Sequence, residues 1–330
     1  MTPSALREAI GRFPSLPLVA VPTLVEPLPR LREALGGGPR LLIKRDDAIA
    51  FGFGGNKVRK LALVAAHAQA DGADTLITAG GVQSNHARAT AAAAARLGMR
   101  AVLVANGSAP EPPTANALLD RLLGAEIVYV DSRDQRAPKM DEVASRLRRE
   151  GRRPFTIPVG ASTPLGALGY VLAVAELVEQ IPPPDVVIHA TSSGGTQAGL
   201  VAGCQLLGLP TRVVGISADE SAAALESTIA TIVGGVGDLI GGPSAVARGR
   251  QLSDDAIKVD DSFVGEGYGF PTAASREAID LAARCEAIFL DPTYTAKAMA
   301  GLIASVRDGR FTESETVLFW HTGGQVGLFA

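Results

Sequence analysis

Lysine is the scarce basic residue of this chain, six against twenty-five arginines, and three of the six, Lys44, Lys57 and Lys60, fall within seventeen positions. Lys57 closes the run Gly52, Phe53, Gly54, Gly55, Asn56, and the segment Val58 to Gln69 behind it reads as a helix. It therefore sits at a helix N-terminus after a glycine-rich turn, beside Arg59 and Lys60. The positive end of the helix dipole and the neighbouring cations both disfavour protonation, which is how an amine becomes nucleophilic near neutral pH. Glycine turns also serve structure alone, so the surroundings have to decide.

Those surroundings begin at Gly80, Gly81, Val82, Gln83, Ser84, Asn85, His86, directly after a strand expected at Thr75 to Thr78. Open α/β sheets bind ligands at such carboxyl ends of strands. Ser84 also reads as a plain helix cap; Asn85 and His86 are harder to explain that way. A second strand-to-helix turn carries Thr191, Ser192, Ser193, Gly194, Gly195, Thr196. Small residues let a backbone close around an anion, hydroxyls add donors and the helix start supplies aligned amides, which makes a phosphate cradle. The turn is neither a Walker A loop nor a GxGxxG fingerprint. Near the C-terminus, Tyr268 and Tyr294 stand on loops before helices, and His321, Thr322, Gly323, Gly324 end the last strand. Buried tyrosines often only anchor a core. His67, His189 and His321 read as structural, because no second ligand stands at metal spacing from any of them, and no metal site is expected.

The elements that must position these residues follow from the pattern. Short β-branched runs at Leu41 to Lys44, Thr75 to Thr78, Ala101 to Ala105, Ile127 to Val130, Phe155 to Pro158, Val186 to Ala190, Val213 to Ser217 and Val317 to His321 predict strands. Between them Ser84 to Leu97, Thr114 to Leu123, Ala167 to Gln180, Thr196 to Leu207, Thr272 to Cys285 and Thr293 to Val306 predict helices. Alternating βα units imply a mostly parallel sheet with helices on both faces. The alanine tract Ala91 to Ala95 is explained by helix propensity alone.

The length of 330 residues and a hydrophobic content of 47% suit about two globular domains and exclude intrinsic disorder. The formal net charge of -3 offers no broad basic face, so nucleic acid is not an expected partner; the basic run from Arg146 to Arg153 reads as a solvated face. Two cysteines, Cys204 and Cys285, build neither a disulfide framework nor a four-thiolate zinc site. With no secretory leader in the first residues, a cytoplasmic setting is expected, and the Asn106, Gly107, Ser108 sequon is idle there. The uncharged stretch Val186 to Thr211 is too rich in glycine and hydroxyls for a lipid-facing helix and reads as α/β core.

An amine nucleophile, a phosphate cradle and polar groups at several strand ends together suit pyridoxal phosphate. Lys44, Arg45, Asp46, Asp47, then Gly54 through Leu61 around Lys57, then Gly81 through His86, then His321 through Gly324, resemble the 1-aminocyclopropane-1-carboxylate deaminase and D-cysteine desulfhydrase family. This is a branch of the fold-type II pyridoxal-phosphate enzymes, similar in architecture to the tryptophan synthase β subunit. The likeness runs from about Pro22 to the C-terminus.

By that resemblance Lys57 holds the cofactor covalently and later shuttles the Cα proton, Asn85 bonds the cofactor's 3-hydroxyl, and Ser84 contacts the substrate carboxylate. Ser193, Gly194, Gly195 and Thr196 would hold the phosphate, Tyr268 and Tyr294 would face substrate and ring, and Thr322 would sit at the pyridine nitrogen. Ser192, where the family often has glycine, and Val58, where threonine is frequent, depart from the pattern. The implied fold is α/β, two open twisted mostly parallel sheets in two domains, residues 1–55 with 164–330 forming the larger and 56–163 the smaller, with a homodimer as the assembly. The implied activity is a lyase that removes ammonia and a β-substituent from a small amino acid. In the cyclopropane deaminases an acidic residue follows the tyrosine matching Tyr294 and an aliphatic residue matches Thr322. Thr295 and Thr322 here favour β-elimination from a sulfur amino acid such as D-cysteine or cysteate over opening a cyclopropane ring. A nucleotide-binding oxidoreductase would need a GxGxxG after the first strand, and a non-catalytic binding protein would be expected to lose Lys57; the chain meets neither condition.

Overall fold

The computed structural model describes residues 1–241 and 256–330. Its strands assemble into two sheets. The larger has the order β1-β2-β10-β7-β8-β9, with β1 at Val25–Pro27, β2 at Arg40–Arg45, β7 at Val186–Thr191, β8 at Arg212–Ser217, β9 at Lys258–Asp260 and β10 at Thr316–His321. Only β1 runs antiparallel to its neighbour. The smaller sheet, β5-β4-β3-β6, is parallel throughout, with β3 at Thr75–Gly81, β4 at Arg100–Asn106, β5 at Glu126–Val130 and β6 at Pro154–Thr156. Every residue of β7 is buried, the unbroken apolar pattern of a parallel strand covered on both faces. All eight expected strands form. The two additional ones, β1 and β9, are three-residue strands at the two ends of the larger sheet, too short for a period-2 signal, and Pro27 is tolerated because its strand has a free edge.

The helices are α1 Pro3–Gly11, α2 Pro29–Ala34, α3 Asn56–Ala70, α4 Asn85–Leu97, α5 Ala115–Leu122, α6 Arg136–Arg149, α7 Pro164–Gln180, α8 Gly195–Leu207, α9 Ala222–Gly241, α10 Ala273–Glu286 and α11 Thr295–Arg307. The sequence pattern did not lead to α1, α2, α6 or α9. Helix α6 is strongly polar, so only its basic end stood out, and that end from Arg148 to Arg153 is exposed as expected. Helix α9 carries Gly234, Gly235 and Gly237, which lower propensity, but burial of Leu225, Ile229, Val233 and Val236 in the larger core overrides it. Among the described residues α9 is long and apolar enough to cross a membrane by length and composition. The stretch Val186 to Thr211 resolves into β7 and α8, both buried.

The alanine helix has a reason beyond propensity. In α4, Ala89, Ala91, Ala93 and Ala94 are fully buried in the core cluster it shares with α3 and the smaller sheet, and a Cβ on Gly52 would lie 2.9 Å from Ala92. Larger side chains would push the helix off its neighbours.

Helix α3 joins the two halves. It packs on α4 of the smaller sheet and on α7 of the larger, so closely that a Cβ on Gly169 would lie 2.3 Å from the Arg59 carbonyl oxygen. A buried ionic cluster fixes it there. Asp46 accepts from Arg59 Nε at 2.9 Å and Nη2 at 2.8 Å, from Tyr170 Oη at 2.7 Å and from Trp320 Nε1 at 2.8 Å. Glu176 accepts from Arg59 Nη1 at 2.9 Å and Lys44 Nζ at 2.5 Å. The motif Lys44 to Asp47 is thus a clamp on the segment that carries Lys57.

Candidate active site

A cleft of about 750 Å³, counted out to where it opens to solvent, lies between the carboxyl ends of the two sheets. The smaller sheet contributes Gly80, Gly81, Ser84, Asn85 and His86 after β3, Arg133 and Arg136 after β5, and Val159 and Gly160 after β6. The larger contributes Thr191 to Gly194 and Thr196 after β7, and Thr322 and Gly323 after β10. Asn56, Lys57, Tyr268 and Tyr294 complete the wall. Of the expected site residues, only Gly195 is off this wall. It is the first residue of α8, one step behind the lining Gly194.

The turn before Lys57 is forced by close approach. Gly54 and Gly55 have φ of +71° and +95°, and a Cβ on Gly55 would lie 2.9 Å from the Thr322 carbonyl oxygen, which accepts from Asn56 N at 3.0 Å. The start of α3 is thereby stitched to the end of β10. Burial lowers the Lys57 pKa to about 8. Lys60, one turn on and fully buried, is lowered well below the ordinary lysine value by burial and then by the Lys57 charge. Two amines without a carboxylate cannot both stay charged in such a place, and a neutral amine is the nucleophilic form.

The turn from Thr191 to Thr196 has the local geometry that an anion would fit. Gly194 takes φ +76° and, as the N-cap residue, offers no side chain to α8; the Gly195 amide is met by the Ser193 carbonyl and the Ser162 hydroxyl, and the amides that follow it remain for a ligand. Thr191 Oγ1 is buried with no hydrogen-bond partner in the protein. Ser162, which the sequence reading missed, accepts from Gly195 N at 3.2 Å and donates to Ser193 Oγ at 2.8 Å, and a Cβ on Gly160 would come 2.2 Å from Ser193 Oγ. Asn56 Nδ2 donates to Thr196 Oγ1 at 2.9 Å, linking the cradle to the lysine turn.

Ser84 is the N-cap of α4, accepting from Ala87 N at 3.2 Å, and it also lines the cleft, so both readings of it hold. Asn85 Oδ1 accepts from Asn116 Nδ2 at 2.9 Å, which leaves the Asn85 amide NH2 as a fixed donor. The Thr78 hydroxyl donates to the Ile157 carbonyl, so its oxygen accepts from His86 Nε2; burial and the two lysine charges keep that imidazole neutral. Tyr268 and Tyr294 share a hydrogen bond at 2.5 Å with rings edge to face, and burial raises both phenol pKa values, so both stay protonated.

His321 is structural as expected: Gly323 N donates to its Nδ1 at 3.2 Å and its Nε2 donates to the Phe289 carbonyl at 3.1 Å. Of the two threonines taken to govern the reaction, only Thr322 lines the cleft. Thr295 is fully buried behind it and donates to Asp291 Oδ1 at 2.7 Å, so its side chain reaches no ligand directly. Asp291 also accepts from Thr293, Tyr294 and Thr295 backbone amides, and so fixes the loop that presents Tyr294.

Arg133, Arg136, Ser162 and Asn116 were not legible as site residues, although Arg133 and Arg136 stand in the first residues past β5, where the strand-end rule points. A second hollow behind α3 and α7 gathers Leu16, Pro17 and Val19, and its charges are paired, Arg7 with Glu179 and Arg59 with Glu176.

The donor set fits a phosphate-bearing aldehyde cofactor. It offers an uncapped helix start and an orphaned hydroxyl for the phosphate, and an amine of depressed pKa for the carbonyl. Comparison with known proteins agrees. The family described as "Pyridoxal-phosphate dependent enzyme" matches residues 17–323. A D-cysteine desulfhydrase of Klebsiella pneumoniae (strain 342) is 40% identical, with 97% of each chain covered, and that of strain ATCC 700721 / MGH 78578 is 41% identical over the same shares. The crystal structure of an ACC deaminase homologue superposes with a TM-score of 0.90 at 35% identity, over 98% of this chain and 96% of that one. Threonine deaminase isoform 2 from Solanum lycopersicum, at 20% identity and a TM-score of 0.69 over 98% of this chain and 84% of its own, shares the fold. With residues 17–323 matched by that family and relatives of 40% and 41% identity over nearly the whole length, the chain belongs to the pyridoxal-phosphate dependent enzymes.

Proposed function

We propose that the protein is a lyase that eliminates the β-substituent of a small sulfur-containing amino acid and deaminates it, in the manner of a D-cysteine desulfhydrase. The observation that carries this reading is Lys57, a lysine of depressed pKa on the wall of a cleft whose other side is an uncapped helix start. Pyridoxal phosphate, bound through Lys57, supplies the electron sink that lets the substrate's Cα give up its proton. The cradle from Ser193 to Thr196 would hold its phosphate, the fixed Asn85 amide would donate to its 3-hydroxyl oxygen, and Thr322 would meet its pyridine nitrogen.

Lys57 Nζ, once free, takes the Cα proton. Ser84 and the first amides of α4 hold the substrate carboxylate. Tyr268 and Tyr294, both protonated, face the reacting carbons and are placed to donate to a departing group. A threonine at 322 would bond the ring nitrogen without keeping it protonated, which would suit expulsion of sulfide or sulfite better than opening of a cyclopropane ring. Residues 1–55 with 164–330 act as the larger domain and 56–163 as the smaller, with Lys57 at the seam, so that closure shields the site from water. A homodimer in the cytoplasm is the expected setting, and a monomeric mass at working concentration would contradict the first part of that.

Purified protein should absorb as a lysine-bound cofactor, and borohydride should fix the label on a peptide containing Lys57. A colourless protein that takes up no added pyridoxal phosphate would refute the assignment of the site. Side-by-side keto-acid assays should give pyruvate from D-cysteine or cysteate and little 2-oxobutyrate from 1-aminocyclopropane-1-carboxylate. Faster turnover of the cyclopropane substrate would reverse the choice of reaction.

A further inference from the structure

Arg136 is a buried cation with no ion-pair partner among the described residues; the carboxylate acting on it, Asp219, is bonded to Arg133. It is 9% exposed, its Nε donates at 2.8 Å to a neutral oxygen, Asn106 Oδ1, which its Nη2 also reaches, and no ion pair among the described residues includes it. It opens α6, so the positive end of a fourteen-residue helix lies behind it, a place where acidic side chains are favoured and basic ones are not. Arg133, three residues earlier, lies 5.8 Å from the Tyr268 ring centroid and is neutralised by Asp219 at 2.9 Å and Glu220 at 3.3 Å. Burial, then the charge of Arg133, lowers the Arg136 pKa without bringing it near neutrality, since guanidinium stays charged in proteins. A buried charge left unpaired is costly, and a protein keeps one where a ligand completes it.

Its direction is set by Gly81. A Cβ there would meet Tyr268 Cε1 at 3.5 Å and Arg136 Nη2 at 3.9 Å, so guanidinium and phenol border the same part of the cleft. The two anions already assigned have other partners, the phosphate at α8 and the substrate carboxylate at α4. What remains for Arg136 is a negative charge on the substrate's β-carbon.

We infer that Arg136, backed by Arg133 at the mouth of the cleft, selects substrates whose β-substituent carries a full negative charge, and that a sulfonate on a three-carbon amino acid is the group it fits. The inference rests on the β-elimination reading above. A guanidinium meets two sulfonate oxygens with parallel N–H donors, and a neutral thiol offers no such pair. In the reaction the Cα–H bond breaks with its proton passing to Lys57, and its electron pair becomes the Cα–Cβ double bond. The Cβ–S bond breaks with its pair leaving on sulfite, which Arg136 holds as it departs. The remaining enamine takes up water and gives pyruvate and ammonium, so no oxidant or reductant is needed.

The test uses the holoenzyme on both enantiomers of cysteate and of β-chloroalanine, which has the same skeleton and a β-substituent that carries no charge until it leaves as chloride. Arg136→Gln should lower kcat/KM for the preferred cysteate by about 100-fold, chiefly through KM, and change β-chloroalanine by no more than about threefold. Arg136→Lys should restore part of the cysteate activity while the cofactor's absorbance stays unchanged in both variants. Equal losses on the two substrates, or an unchanged rate on cysteate, would overturn the inference. Binding of 3-sulfopropionate, followed by calorimetry, separates this claim from the lyase reading. Heat of binding in the wild type that Arg136→Gln abolishes supports the anion site even if no substrate is turned over, and equal binding to both refutes it even if pyruvate forms.

Discussion

Arg59 and Arg136 are both buried guanidinium groups, 5% and 9% exposed, yet they live in opposite surroundings. Around Arg59, burial works against the charge, but Asp46 and Glu176 more than offset it and raise the pKa. Around Arg136 burial and a second arginine both work against it, the Asp219 charge favours it only from a distance, and among the described residues its hydrogen-bond acceptor is an amide oxygen. Lys44 and Lys57 repeat the contrast, the first bonded to Glu176, the second on the cleft wall with the buried amine of Lys60 beside it. The base of α3 is a place where charge has been satisfied within the chain. The cleft is a place where positive charge has been left for ligands to satisfy, and the stability it costs is recovered only when they bind.

The contrast can be broken most sharply at Lys57. Lys57→Ala should lower turnover by about 10⁴-fold if, as proposed, Lys57 is both the cofactor's anchor and the proton carrier. The cofactor-free variant should melt no lower than the wild type, because an unpaired cation beside Lys60 has been removed. A large drop in melting temperature would mean that Lys57 is structural in the way Arg59 is.

At the base the same type of truncation should do the reverse. Asp46→Ala leaves Arg59, Tyr170 and Trp320 without their shared acceptor and should cost about 3–5 kcal/mol of stability, the usual penalty for breaking a buried pair. Denaturant titration of the cofactor-free protein reads it. A variant as stable as the wild type would show that Glu176 alone suffices for Arg59.

Between these extremes stands Gly160, which belongs to the cradle and carries no charge. Gly160→Ala must hold an alanine at φ +74° with its Cβ 2.2 Å from the present Ser193 Oγ, so Ser193 has to give way. Affinity for pyridoxal phosphate should fall about tenfold, a loss of the order that such backbone strain produces. Fluorescence titration of the cofactor-free variant would measure it, and unchanged affinity would place the phosphate away from Ser193.

The sequence made the ligand-facing half of this contrast visible more readily than the satisfied half. Lys57, Ser84, Asn85, Ser193, Gly194, Thr196, Tyr268, Tyr294 and Thr322 stand beside glycines or at strand ends, where local pattern carries the signal, and all of them line one cleft. The Asp46, Arg59 and Glu176 cluster spans more than a hundred residues of chain, and no local pattern could bring its members together. Arg136 was missed for a related reason. Its significance is the lack of an ion-pair partner among the described residues, which only the fold can reveal, and the denser basic run at Arg146 to Arg153 drew attention to a face where Arg148, Arg149 and Arg153 are solvated and Arg146 and Arg152 pair with Glu126 and Asp74. The eight main strands were readable from β-branched runs, whereas α6 and α9 depended on tertiary burial that overrides composition.

The most gradual expected effect, spread over more than two pH units, separates the two regions by pH. Lys57 titrates near 8 in the folded chain against an ordinary lysine value of 10.5, so between those values the unfolded chain binds more protons than the folded one. Stability from this group therefore rises with pH across that window, by no more than about 1.4 kcal/mol per pH unit, and is least below it, where both forms are protonated. Asp46 runs the other way. Its pKa is lowered despite burial, because Arg59, Trp320 and Tyr170 hold the carboxylate, so its contribution is present above the ordinary carboxylate value of 3.8 and is lost only as pH falls below that. Melting curves of cofactor-free wild type and Lys57→Ala should consequently converge as pH is raised from about 8 toward 10. The stability gap opened by Asp46→Ala should stay flat over the same range. If the Lys57→Ala difference stayed flat as well, Lys57 would be charged throughout that range, and the cleft would hold its amine in the same satisfied state as the base of α3 holds Lys44.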